Sequence, residues 1–378
     1  MQRIVVLGSS FGGITAAYDL RRILPSKHEV VLISNSSIFV FRPSLPWVAL
    51  GVKEPSEITA DFTKGLAKRG IRYLQATVES IDPAAQVVWT TRGRVPYDYL
   101  VTALGAHLER DAVPGLDRHT ECILWLDDAV RARRKLESFI GGDIILVEVQ
   151  GSVVPCPIYE VALGLDTWLR QKGLRSKSRI HFITHQEAPF AIAGPKAARH
   201  VEREMRNAGI RLYLKQAVES VKDREIELSS GEKLHGDLIY AAPPYRGTDA
   251  LLSSKGLTDR HGFVRVGRNM QNPEYPNVYA VGDGVAFKGP KSGRMAELQA
   301  HVAAHNLAMQ IFGKGKAAEK RYKSHVVCIM ELGAGRGLFA YRKESPGQGP
   351  MTFTMAFPGR IPHLAKAAFE RYFLTTRF

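Results

Sequence analysis

The residue in this chain best placed to do chemistry is Cys156, set between prolines in Gly151-Ser152-Val153-Val154-Pro155-Cys156-Pro157. The residues after it, from about Ile158 to Lys172, carry the apolar spacing of a helix. A cysteine at a helix N-terminus has its thiolate favoured by the helix dipole, and the thiolate is the reactive form. Most free cysteines are inert small hydrophobes, so the Pro-Cys-Pro setting is what singles this one out. Cys328 stands in a strand-like run, Ser324 to Ile329, where core packing would explain it if it stood alone. If the fold brought both sulfurs to one face of a redox cofactor, they would form a disulfide able to accept two electrons. With Cys122 as the third cysteine, the set is too small and too widely spaced for zinc or a secreted disulfide framework, and no metal site is expected.

The elements that must position these sulfurs start at the N-terminus. A strand, Arg3 to Leu7, turns at Gly8-Ser9-Ser10-Phe11-Gly12-Gly13 into a helix with Ile14, Ala17, Leu20 and Leu24 on its apolar face. A second strand follows at Glu29 to Ser34. Strand, glycine turn, helix and strand make the unit that holds a dinucleotide pyrophosphate at a helix N-terminus. Gly8 and Gly13 take the outer glycine positions, Ser10 takes the middle one, and Asn35 stands where a ribose-binding acid is usual. Two later strands strengthen the reading. One ends in the small-residue turn Ala103-Leu104-Gly105, and the other in Gly282-Asp283-Gly284, whose aspartate suits a ribityl hydroxyl of FAD. FAD is therefore the expected cofactor.

The insertion between those strands repeats the pattern, with a strand at Asp143 to Val149, the Cys156 helix, and a strand at Arg179 to Thr184. Its turn lacks the glycines that let backbone approach a pyrophosphate, and Pro155 and Pro157 have no N–H to donate. A cysteine occupies the place of a nicotinamide cradle. The expected fold class is α/β with two Rossmann-like domains. The FAD domain takes 1–110 and 240–320, the second domain 111–239, and a C-terminal segment 321–378.

Lys and Arg total 52 against 37 Asp and Glu, so anionic partners such as lipid headgroups are favoured. Basic residues are dispersed and not interleaved with aromatics, which argues against nucleic acid. No apolar run reaches the roughly 18 residues a spanning helix needs, and no secretion signal is evident at MQRIVVLG. Contact with a membrane would be peripheral.

Several segments carry a resemblance to the sulfide:quinone oxidoreductases, particularly the archaeal-type members, over nearly the whole chain. They are Phe41-Arg42-Pro43-Ser44-Leu45-Pro46-Trp47-Val48-Ala49-Leu50-Gly51, Gly105-Ala106-His107-Leu108, Lys135 to Phe139 with Gly141-Gly142, and Pro243-Pro244-Tyr245. Pro290-Lys291-Ser292-Gly293, Val326-Val327-Cys328 and His363-Leu364-Ala365-Lys366 continue it. The resemblance implies a monotopic, cytoplasmic-face prokaryotic enzyme. It would oxidise hydrosulfide to polysulfide or sulfur at a cysteine pair and pass electrons through FAD to a membrane quinone. It implies Cys328 and Cys156 as the pair, with Cys156 closer to Glu160 than the family spacing. Glu160 becomes a proton carrier, Lys291 a stabiliser of the reduced flavin, and Arg42 and Pro43 cofactor neighbours. As plain structure, Glu160 would be a first-turn helix residue and Lys291 a loop lysine. The family's histidines do not recur where Asp128 and Ala188-Pro189-Phe190 stand. Type II NADH:quinone oxidoreductase, a flavocytochrome sulfide dehydrogenase subunit and a catalytically silent FAD-binding module are the rival readings, and a homo-oligomer is left open.

The segment from His363 to Phe378 is read as an amphipathic helix with Leu364, Ala368, Phe369, Tyr372 and Phe373 on one stripe and Lys366, Glu370 and Arg377 elsewhere. It is expected to lie on anionic lipid, although docking on the core would explain the stripe as well. Phe353, Phe357 and Tyr372 are the expected lining of a quinone cleft.

Overall fold

The computed structural model describes residues 1–254, 256–287, 291–314, 318–343 and 353–378. Its first sheet is parallel throughout, in the order Val278–Ala280, Tyr99–Thr102, Arg3–Leu7, Glu29–Ser34, Arg72–Gln75. The central strands are runs of Val, Ile and Leu buried on both faces, which is what a sheet covered by helices on either side requires. The helix Phe11–Ile23 leaves the carboxyl end of the first strand and packs against the long helix Gly293–Ile311. A crevice opens at those carboxyl ends, the usual ligand position in such sheets.

The second sheet is also parallel, ordered Ile210–Tyr213, Ser178–Thr184, Gly142–Glu148, Leu238–Ala242. From the carboxyl end of Gly142–Glu148 a tight turn with Gly151 at φ 82° leads into the helix Cys156–Gln171. The helix begins at Cys156, slightly earlier than its apolar spacing suggested, because Pro157 is accommodated in a first turn whose N–H groups are unpaired anyway.

A third, antiparallel sheet runs His325–Gly333, Arg336–Lys343, Phe353–Gly359. Its first strand lies against the cysteine helix. Gly333 makes that close approach feasible: it holds φ 81°, and a Cβ there would fall 2.9 Å from the Leu163 carbonyl oxygen. The C-terminal helix Arg360–Arg377 then covers the sheet and returns to the N-terminal domain. There Tyr18 donates a hydrogen bond to the Arg377 carbonyl at 2.8 Å, and Phe373 packs against Phe11 and Phe39 at 4.9 and 5.2 Å between ring centroids.

This helix keeps most of the expected apolar stripe outward and departs from it at Phe373. Phe373 is buried, but it shares the inward face with Pro362, Lys366 and Glu370. Leu364 and Tyr372 are 62% and 63% exposed, and Ile361 and Phe369 also face outward. The charged residues turn inward because each finds a partner there, Lys366 on Glu160 and Glu370 on Ser44 and Lys53. Polar burial is tolerated when such bonds are made. Among the described residues no helix is long and apolar enough to cross a membrane.

Candidate active site

The sulfurs of Cys156 and Cys328 lie 3.0 Å apart although 172 residues separate them. One comes from the first turn of the cysteine helix and the other from the strand packed beside it. Both residues are partly buried, whereas Cys122 is fully buried and its thiol is pushed up to about 12 by burial, with the Asp128 charge adding to it.

The Cys156 thiol is held well above its ordinary pKa, first by its hydrogen bond with Cys328, then by burial and by the charges of Cys328 and Glu160. These outweigh the helix dipole, which sequence reasoning expected to favour the thiolate. Cys156 therefore holds its proton, and a group that removes it becomes part of the chemistry. Glu160 is that neighbour: its carboxylate lies 3.5 Å from the Cys156 sulfur and is hydrogen-bonded and ion-paired to Lys366. Burial raises the Glu160 pKa, and the Lys366 ammonium opposes the rise. The Lys366 ammonium also sits over the Trp47 ring, 4.7 Å from its centroid. Nearby, His363 bonds Glu331 at 2.8 Å.

The glycine turn forms a cleft at the carboxyl ends of the first sheet. A Cβ on Gly8, at φ 93°, would lie 2.3 Å from the Ala103 carbonyl oxygen, and one on Gly13 would lie 1.9 Å from the Gly8 carbonyl oxygen. Backbone is packed on backbone, leaving the helix N-terminus open toward the cleft. Ser10 caps that helix without a side-chain bond, and Gly8, Ser10, Asn35, Arg42 and Ala103 all line the cleft. Phe11 and Gly12 turn away into the core, Phe11 against Phe39 and Phe41, Gly12 toward Val281. The Arg42 guanidinium stacks on Trp125 at 3.7 Å and donates no hydrogen bond among the described residues. Pro43 beside it is exposed.

A smaller cavity continues from Gly282 and Asp283 to Lys291 and Ser324. Gly282 donates its N–H to Gln299 at 2.7 Å, and Gly105 holds φ 72° next to Gly284. Burial pushes the Asp283 carboxyl up against the pull of Arg42 and Lys291, and it forms no side-chain hydrogen bond among the described residues. Burial likewise pushes the Lys291 ammonium down to about 8, opposed by Asp283 and Asp259. The Lys291 backbone N–H bonds the Val153 carbonyl at 3.2 Å, which ties this cavity to the turn that carries Cys156. Pro290 lies outside the described residues.

An open helix N-terminus, and an arginine and a half-buried aspartate that form no side-chain hydrogen bond among the described residues, are what FAD would satisfy, as pyrophosphate, adenosine side and ribityl chain respectively. The residues present fit that cofactor. By contrast Phe357, 41% exposed, and Tyr372 face outward on the C-terminal sheet and helix, and the Phe353 side chain lies outside the described residues. Sequence reasoning did not name Lys366, Glu331, Trp47 or Trp125 as site residues. The available signal was Lys366 four residues before Glu370, on a helix whose opposite side, Leu364, Ala365, Ala368 and Tyr372, is apolar.

The pyridine nucleotide-disulphide oxidoreductase family matches residues 2–306. A sulfide-quinone reductase of Aquifex aeolicus is 29% identical, over 99% of this chain and 90% of its own length. A mitochondrial sulfide:quinone oxidoreductase of Mus musculus is 24% identical over 89% of this chain and 77% of its own. The solved structure of the Aquifex aeolicus sulfide:quinone oxidoreductase superposes with a TM-score of 0.91 at 27% identity, covering 100% of this chain and 91% of that one. With its two parallel dinucleotide-type sheets and a glycine turn at the first of them, the chain belongs to the pyridine nucleotide-disulphide oxidoreductase family.

Proposed function

We propose that this chain is a sulfide:quinone oxidoreductase, and the observation that carries the reading is the 3.0 Å approach of two sulfurs at the turn where a nicotinamide cradle would otherwise form. Pro155 and Pro157 deny that turn the N–H groups a pyrophosphate needs. Hydrosulfide attacks one sulfur of the oxidised pair, forming a persulfide and freeing the other sulfur as a thiolate. When bound, FAD supplies the two-electron acceptor that connects this pair to a quinone. Arg42, the Gly8 to Gly13 turn and Asp283 hold it, and Lys291 contributes positive charge where reduction adds negative charge. Residues 1–110 and 240–320 serve as the FAD domain, 111–239 present Cys156, and 321–378 present Cys328 and the quinone side.

The outward face of the C-terminal helix, with Ile361, Leu364, Phe369 and Tyr372, joins Met355 and Phe357 of the adjacent strand in an apolar surface flanked by Arg360 and Arg371. This surface rests on the membrane, where Phe357 and Tyr372 receive the quinone, and the net charge of +15 favours the anionic cytoplasmic leaflet. The deciding experiment is anaerobic titration of the yellow holoprotein with sulfide, then with a water-soluble quinone, with NADH as control. The flavin band should bleach with sulfide and return with quinone in the wild type, but not in Cys156→Ala or Cys328→Ala. Full sulfide turnover in both variants, or bleaching by NADH instead of sulfide, would refute the reading.

A further inference from the structure

Oxidation of hydrosulfide follows HS⁻ → S⁰ + H⁺ + 2e⁻, so on the proposed function one proton must leave the cysteine pair for every electron pair passed to the quinone. The pair is partly buried, and the Cys156 sulfur lies beside Glu160. We propose that this proton leaves through a relay built across three elements: Glu160 of the cysteine helix, Lys366 and His363 of the C-terminal helix, and Glu331 of the strand that also carries Cys328.

The first links are direct contacts, from the Cys156 sulfur to Glu160 at 3.5 Å and from Glu160 to Lys366 by an ion pair whose two side chains are each 4% exposed. Lys366 and His363 are neighbours one turn apart on the helix. His363 accepts or donates through Nδ1 to Glu331 at 2.8 Å, and its side chain is 31% exposed, which gives the route an outlet to water. Glu331 is buried, and its second oxygen, Oε1, has no hydrogen-bond partner among the described residues. A buried carboxylate oxygen left open is an acceptor site awaiting a proton. Burial works against the Lys366 ammonium, yet the charges of Glu160 and Glu331 outweigh it and raise its pKa, so both carboxylates act on one cation.

The other charged groups packed here are committed elsewhere. Lys53 and Ser44 bind Glu370, and Trp47 offers only its ring, with His363 at 6.1 Å between centroids. The persulfide S–H therefore loses its proton to Glu160, Lys366 hands one on to Glu331, and His363 releases one to solvent. No bond other than S–H and the relay's own N–H and O–H bonds changes.

The test uses full-length holoprotein in anaerobic stopped flow, reading flavin bleaching by sulfide together with proton release to an indicator dye across the neutral pH range. In His363→Gln and in Glu331→Gln, bleaching should slow by about a hundredfold, the low end of what a positioned proton carrier contributes. The pH profile should shift, and added imidazole should restore the His363→Gln rate. Variants that bleach at the wild-type rate with an unchanged profile would overturn the relay alone. So would a slowing of His363→Gln that imidazole leaves untouched, because that marks a purely structural role. Sulfide that fails to bleach the wild type would overturn the proposed function, and the relay with it.

Discussion

Replacing Lys366 by methionine tests the inward-charged packing of the C-terminal helix. Glu160 and Lys366 pair with side chains that are each 4% exposed, so the substitution strands a carboxylate in the interior rather than at a wet surface. Removing one partner of a buried pair costs about 3–5 kcal/mol. Without the ammonium that opposes the effect of burial, the Glu160 pKa should rise further still. Burial already holds that pKa above the ordinary 4.5. A group whose folded pKa exceeds its unfolded one binds extra protons when folded, so stability is greatest at low pH and falls as pH rises through that window. The variant should accordingly lie close to wild type near pH 4.5 and lose stability progressively toward neutral pH. Urea midpoints of the holoprotein, followed by tryptophan fluorescence at several pH values, read this directly. Glu160→Gln combined with Lys366→Met should recover most of the loss, since the two residues form one unit. A single variant within about 0.5 kcal/mol of wild type at every pH, as for ordinary surface changes, would refute the buried pairing.

Two further expectations concern the cofactor and the membrane. Because the Lys291 ammonium is pushed down to about 8, it is charged below that pH and neutral above it, so the rate of flavin reduction by sulfide should fall as pH rises through about 8. Lys291→Met should be slow throughout and lack that inflection, as a stopped-flow pH series would reveal. Leu364→Asp with Tyr372→Asp should lower partition onto anionic vesicles at least tenfold while leaving FAD content unchanged, because burying each such side chain is worth about 1.5–3 kcal/mol. Co-sedimentation with unchanged binding would remove this surface from the membrane contact.

The two dinucleotide-type units were legible because local rules govern them. Val-Ile runs specify buried strands, and Gly8 and Gly13 are required where backbone meets backbone at 1.9 to 2.3 Å from any added Cβ. The residue types of Cys156 and Cys328 marked them as candidates, but their distance from each other depended on how strand His325–Gly333 lies on the cysteine helix, which no local pattern encodes. One feature of the C-terminal helix escaped for a related reason. Periodicity shows which side chains share a stripe, yet the partners that draw Lys366 and Glu370 inward are Glu160, Ser44 and Lys53, more than 200 residues earlier. Arg42 illustrates the same limit, since its stacking partner Trp125 belongs to no motif.

The return of the C-terminal helix to the N-terminal domain bears on the order in which the chain matures. Phe373 completes a cluster begun by Phe11, Phe39 and Phe41, and the backbone of Arg377 receives the Tyr18 hydroxyl. The cluster begun by residues 11–41 is thus completed only once residues 360–377 have followed them. A chain that lacked this helix would leave the Phe11, Phe39 and Phe41 rings without the Phe373 ring that packs against all three, and proteases would gain a window that the docked helix closes.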